Sequence, residues 1–162
     1  MGGEVVGVIL SGATSSSAKA QLTKRGEERV FEGMLLVVEG REKILARVEA
    51  LRPVNEFFVE GDPWSEVRRA WSEEVPSLRE VARRYVVAEL SLIGVLGRGG
   101  VRDVRRPPEP GDRVVMLDLS QGVEQVFGVR RGTPGVVWYG SLLGYSNAPI
   151  PLTVENITMH IG

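Results

Sequence analysis

The chain has 162 residues, with 20 basic and 21 acidic side chains, one histidine and no cysteine. That length suits one domain, or one domain with an inserted helical piece, and is enough to bury a substantial core. The near-cancelling charge excludes a global basic footprint for nucleic acid, and the missing thiols exclude disulfides, thiolate catalysis and cysteine zinc sites, which fits a reducing cytoplasm. The basic residues are lopsided, 17 Arg against 3 Lys, a bias that fits a GC-rich or thermophilic source. No apolar run approaches the roughly 18 residues of a membrane helix, so no membrane partner is expected. The opening Met1-Gly-Gly-Glu4 lacks the basic region and apolar core of a signal peptide, and Val6 stands where a myristoylation signal places Ser or Thr.

Twenty glycines are dispersed between short runs of Val, Ile and Leu. That is the pattern of an all-β sandwich or barrel. Residues 4–10 form the first expected strand, followed by a small polar stretch, Ser11-Gly-Ala-Thr-Ser-Ser-Ser17, that favours turns over ladders. Residues 19–23 and 30–39 are the next strands. Residues 43–51 alternate, placing Ile44, Ala46, Val48 and Ala50 on one face and Lys43, Arg47 and Glu49 on outer positions. The last two runs read as a hairpin around Glu39-Gly40-Arg41.

Residues 62–85 break the β pattern. Asp62-Pro63 supplies an N-cap and a proline at the first helical position. Trp64, Val67 and Trp71 share a helix face. Pro76 ends that element, and Ser77-Leu-Arg-Glu80 is a capping box opening a second helix with Leu78, Val81, Ala82 and Tyr85 on one face. Trp64 and Trp71 together argue core or interface rather than a ligand site, and Trp138 is a third large candidate for burial.

Strands resume over 86–95, with Ala88, Leu90 and Leu92 on one face and Glu89 and Ser91 on the other. Gly97-Arg-Gly-Gly100 is a flexible turn. Pro107-Pro-Glu-Pro-Gly111 is a rigid one, because proline fixes φ and removes donors. Further strands are expected over 113–119, 123–129, 135–143 and 152–161.

Chemistry-bearing motifs are few. Gly12 to Lys19 imitates a phosphate loop, but the second glycine is replaced by Ser17 and the lysine falls one place late, so a plain surface loop is the reading. His160 alone supports neither a metal cluster nor a catalytic dyad. Glu27-Glu28 and Glu73-Glu74 lie in polar stretches and read as solvated surface. The densest basic run is Arg98, Arg102, Arg105 and Arg106, with Arg130-Arg131 elsewhere. Such a run is by default an exposed charged loop, and alternatively a track for a phosphate backbone. No aromatic residue interleaves with it to stack bases.

Several segments together resemble the start of the HerA-type archaeal and bacterial ATPases. They are Val5-Val-Gly-Val-Ile-Leu-Ser-Gly-Ala-Thr14, residues 30–38 with Ile44-Leu-Ala-Arg-Val48, and the turn Arg106-Pro-Pro-Glu-Pro-Gly111. The tail, Tyr145-Ser-Asn-Ala-Pro-Ile-Pro-Leu152 through His160-Ile-Gly162, looks like the lead-in to that family's Walker A loop. The insertion at about 62–85 matches only in position.

The resemblance implies a mainly β fold: a small closed or partly open β-barrel, the HAS barrel, over residues 1–150, with a short two-helix insertion. Residues 151–162 would then be a linker strand leading into a RecA-like ATPase domain. It further implies a hexameric collar of such barrels on a motor that moves double-stranded DNA, with a NurA-type nuclease docked for end resection in recombination repair. ATP and Mg²⁺ would be bound by the motor, so no catalytic, nucleotide or metal residue is carried onto this chain. Arg98, Arg102, Arg105 and Arg106 are the candidate DNA or partner contacts. The runner-up is a stand-alone OB-like nucleic-acid-binding barrel using the same arginines. A complete enzyme is the least supported reading, since no nucleophile–base pair or cofactor loop can be assembled from these residues.

Overall fold

Alternating apolar positions make strands whose inward side chains meet in one core. A computed structural model describes residues 3–61, 63–70 and 83–118, with the backbone alone of 136–139 and 150–153. The elements are β1 (Val5–Ile9), β2 (Ser17–Leu22), α1 (Lys24–Arg29), β3 (Leu35–Glu39), β4 (Lys43–Asn55), α2 (Ser65–Ala70), β5 (Arg84–Gly97), β6 (Gly100–Arg102), β7 (Arg113–Met116), β8 (Val136–Tyr139) and β9 (Ile150–Thr153).

The first seven strands form one sheet in the order β2-β1-β7-β3-β4-β5-β6, and β2 also pairs with β5. The hydrogen bonds therefore return to their starting strand. Six strands close the ring and β6 rides on the end of β5 outside it. Every neighbouring pair is antiparallel. This is the expected mainly β fold, a small β-barrel. β8 and β9 pair as a separate hairpin, with β9 against β6.

Register shows which side chains face inward. Val38 lies opposite both Ile44 and Val114, and Leu36 opposite both Ala46 and Met116. These rows belong to the core, with Val6, Ile9, Ala18, Ala20, Leu22, Val48, Ala88, Leu90 and Leu92. The intervening row, Val115–Val37–Leu45, faces the other way and is buried too, as are Leu35, Val101 and Leu117. β3 is therefore apolar on both faces, which explains its unbroken Leu35-Leu-Val-Val38 run.

One end of the barrel carries α1, a helix absent from the sequence expectation. Thr23 caps it by accepting a hydrogen bond from the Gly26 amide at 3.0 Å. Gly26 rests against the Val6 carbonyl, where any Cβ would overlap the backbone. The chain then turns through Gly33 at φ +92°, so residues 30–34, expected as strand, instead form a connection and β3 begins at Leu35.

β4 and β5 outgrow the ring, pairing from Lys43 opposite Leu96 to Asn55 opposite Arg84. Two register shifts interrupt this ribbon. The second places Glu49 as an extra residue, so Ala50 pairs with Glu89 on the outer face while Leu51 packs against the core. The expected sharing of one face by Ala50 and Val48 is thus corrected by a bulge. At the ribbon tip α2 begins at Ser65, so Trp64 precedes the helix. Tyr85, expected on a second helix, lies instead in β5. Asp62, Trp71 and residues 72–82, including the capping box, lie outside the described residues.

The core assignment has a direct test. Leu36→Ala should lower unfolding free energy by about 2–5 kcal/mol, against less than about 0.5 kcal/mol for Val8→Ala, measured by urea denaturation. Leu36 is fully buried whereas Val8 is 38% exposed. A second test concerns acid. Arg52 donates to Glu89 at 2.7 Å, and this hydrogen bond holds the Glu89 carboxyl below the usual glutamate value. A depressed folded-state value contributes stability above the ordinary range that is lost as pH falls through it. The melting temperature of wild type should therefore decline over that acidic window slightly more steeply than that of Glu89→Gln.

Candidate functional site

Strand order brings the turns of distant segments to one end of the barrel. Val8 and Glu39 both pair with Arg113, Glu39 pairs with Lys43, and Lys43 pairs with Leu96. The β1–β2 loop, the Gly40–Glu42 turn, the Arg98–Gly99 turn and the proline-rich segment before β7 therefore share one rim. Between them lies an open groove of about 720 Å³, walled by Ala13, Ile44, Pro107, Pro108 and Pro110 and rimmed by Arg41, Arg105 and Arg106.

The proline segment is held stiffly. Asp112 Oδ2 accepts from the Glu109 amide at 2.9 Å, and the Asp112 amide donates back to the Glu109 carbonyl at 3.1 Å. Ile9 donates to the Asp112 carbonyl at 2.8 Å and Gly111 donates to that of Ile9 at 2.9 Å, tying the turn to the end of β1. Gly111 sits at φ +94°, a backbone conformation that glycine adopts without strain. Gly40 lies so close to the Asp112 carboxylate that a Cβ would overlap it, which locks the β3–β4 turn onto the proline turn. Pro108 is buried.

Charges at this rim fall into two groups. Arg41 pairs with Glu109 at 3.8 Å, Arg102 with Glu42 at 3.6 Å and Arg113 with Glu39 at 3.3 Å. Lys43, Arg98, Arg105 and Arg106 are exposed and form no ion pair among the described residues. Cations outnumber carboxylates here, and the surplus is carried by the unpaired group. The exposed pairs Arg41–Glu109 and Arg102–Glu42 contribute little to stability, typically about 0–1 kcal/mol, so that part of the rim is not committed to folding.

The four arginines singled out in the sequence all lie at this rim, in different roles. Arg105 and Arg106 line the groove. Arg102 ends β6 and reaches the groove through Glu42. Arg98 stands on the two-residue turn between Gly97 and Gly100, outside the lining. Arg41 is the lining residue that sequence reasoning missed. Its hairpin turn was legible, but its place beside Arg105 depends on the long-range pairing of β3 with β7.

The imitation phosphate loop is a self-contained turn. Thr14 Oγ1 accepts from the amides of Ser16 at 3.2 Å and Ser17 at 3.1 Å, while Ala18 and Lys19 already lie on β2. Glu27 and Glu28 are exposed on α1. Arg130, Arg131 and His160 lie outside the described residues. No group of three or more His, Asp or Glu side chains able to hold a metal occurs among the described residues. Nor is any helix among them long and apolar enough to cross a membrane.

A second surface lies at the far end of the β4–β5 ribbon. Phe57 meets Trp64 edge-on at 5.0 Å, and the Arg68 guanidinium lies 5.8 Å from the Phe58 ring centre. Phe58, Val59 and Trp64 remain 37–47% exposed. Trp64 is thus not a core residue. Comparison with known proteins finds no family model and no curated relative that matches the chain.

The clamp on the proline turn is testable. Asp112→Ala should speed hydrogen exchange at the Glu109 amide and lower stability by about 1 kcal/mol. Unchanged protection at that amide would show that the turn is held by the prolines alone.

Proposed function

We propose that this chain is an assembly barrel, the N-terminal collar module of a HerA-type hexameric DNA translocase. In that role it joins neighbouring copies and docks a NurA-type nuclease in the cytoplasm. In such an assembly the hydrolysis of ATP with Mg²⁺ is the work of a RecA-like motor domain, and no residue here is assigned to it. The observation that carries the reading is the ring of hydrogen bonds completed by β2 and β5. A closed barrel hides its strand edges and offers neighbours only its walls and its loops. It is a rigid spacer whose partner contacts sit on turns, the arrangement suited to positioning rather than chemistry. The sequence resemblance supplies the particular family.

A second reading is favoured by one observation, that Lys43, Arg98, Arg105 and Arg106 stand at a single rim with no ion pair among the described residues. There the barrel binds nucleic acid by itself, through phosphates.

Two measurements separate these readings. Native mass spectrometry of the protein expressed from its own gene should give a hexamer whose ATPase is stimulated by double-stranded DNA. The 162-residue chain alone should bind DNA weakly at physiological salt. Binding by this chain with a log–log salt slope of about −0.9 per phosphate contact, abolished in Arg98→Ala/Arg105→Ala/Arg106→Ala, would establish the second reading instead. A monomeric gene product without DNA-stimulated ATPase would defeat the first.

A further inference from the structure

The ribbon tip and the rim groove are chemical complements that one molecule cannot bring together. Residues 56–61 read Glu-Phe-Phe-Val-Glu-Gly, two carboxylates and three apolar side chains without a cation. Their backbone is fixed from behind. Arg68 donates to the Phe57 carbonyl, and to the Val59 carbonyl at 2.8 Å. Asn55 accepts from the Phe57 amide through Oδ1 at 3.0 Å and from the Phe58 amide through its carbonyl, also at 3.0 Å. The loop is thus held in shape while the side chains of Phe58, Val59 and Glu60 face water. Exposed apolar residues gathered on a preorganised projection mark an interaction site. Preorganisation lowers the entropy cost of using it.

The groove offers what this tip lacks. Its walls are proline, Ile44 and Ala13, and Arg105 and Arg106 on its edge have no ion-pair partner among the described residues. Its carboxylates are already engaged: Glu42 by Arg102, Glu109 by Arg41, and Asp112 by the Glu109 amide. A single incoming carboxylate therefore meets free guanidinium groups, which favour bidentate pairing. A continuous polyanion meets those three carboxylates as well, and among the described residues no aromatic side chain lines the groove to stack a base. The volume of about 720 Å³ lies within the range of sites that enclose a compact ligand, roughly 300–1,000 Å³.

Tip and groove lie at opposite ends of β4. Its 13 residues separate them by about 40 Å at roughly 3.3 Å per residue. We propose that the Phe58-Val59-Glu60 tip of one copy docks in the proline–arginine groove of the next, with Glu60 meeting Arg105 and Arg106. The contact joins two different surfaces, so it is heterologous and propagates head to tail, closing into a ring or running as a filament. It rests on the assembly reading above and names the surfaces that assembly uses.

The test uses two variants and their mixture, followed by sedimentation velocity. Phe58→Ala/Glu60→Gln removes the tip chemistry, and Arg105→Glu/Arg106→Glu removes the groove chemistry. All four positions are exposed, and far-UV circular dichroism checks that both variants fold. Wild type should associate with concentration. Each variant alone should associate at least about tenfold more weakly, as for loss of an interface anchor. Mixed in equal amounts, the two variants should give a one-to-one dimer that grows no further, because only one intact tip and one intact groove are matched. Variants that assemble as wild type does would overturn this contact and leave the assembly reading intact. Wild type that stays monomeric at its highest soluble concentration would overturn both.

Discussion

Everything in this fold hangs on the pairing of β2 with β5, from Ser17 opposite Ser91 to Gln21 opposite Val87. Without it the sheet is an open, seven-stranded ribbon with a polar edge at each side. With it, the walls meet around one apolar interior. The seam is built for close approach: Ala18 faces Leu90 and Ala20 faces Ala88, and all four are buried. Small residues at that position let a narrow barrel close without overfilling its centre. On the outside of the same seam Lys19 lies opposite Glu89, which also accepts from Arg52 of β4. The alternation thus places methyl groups inward and a charge network outward over the residues that need to be joined.

Closure also dictates where surplus chain goes. Within the ring, β1, β2, β3 and β7 are four to six residues long, whereas β4 has 13 and β5 has 14. The extra length cannot be accommodated in the wall, so it projects as a two-stranded ribbon beyond one end. Its far part is paired on itself and therefore carries few core contacts. At the other end the strands stop together, and their turns crowd into the rim that holds Arg41, Arg102, Arg105 and Arg106. The two candidate surfaces are thus consequences of unequal strand lengths in one ring.

Much of this was legible in the residues, for reasons that can be named. Glu39-Gly40-Arg41 marked a hairpin because alternating apolar runs flank it, and Glu39 does pair with Lys43. The faces assigned to Ala88, Glu89, Leu90, Ser91 and Leu92 hold because that stretch of β5 keeps a period of two. Helix α1 was illegible: Lys24-Arg-Gly-Glu-Glu-Arg29 has no apolar stripe and a glycine inside, and its cap at Thr23 was the available signal. Gly26 is there because the helix lies on the Val6 backbone, a tertiary demand that overrides propensity. Ala50 was misplaced because a bulge leaves no mark in composition. Four arginines of the rim were found because they are neighbours in sequence, and Arg41 was not because only strand pairing makes it one.

Rim chemistry and fold chemistry are also kept apart, and that separation gives the barrel a direction. Arg113–Glu39, beside the turns, pairs a cation with a carboxylate that is only 16% exposed, so part of the charge at this end is committed to holding β7 beside β3. Arg105 and Arg106 come earlier, in the connection leading into β7 just ahead of the proline segment clamped by Asp112, and are released from that task. Rigid backbone with uncommitted guanidinium groups is what a receptor surface requires, since the partner then supplies the missing charge without displacing a structural pair. The opposite end inverts the arrangement. There a cation, Arg68, is consumed in shaping the loop through backbone carbonyls, while Glu60 and its apolar neighbours are left outward. One end presents arginine and is built by carboxylates; the other presents a carboxylate and is built by arginine. Among the described residues a molecule polarised in this way has no self-complementary face between like ends, so the proposed contact between copies can run only head to tail.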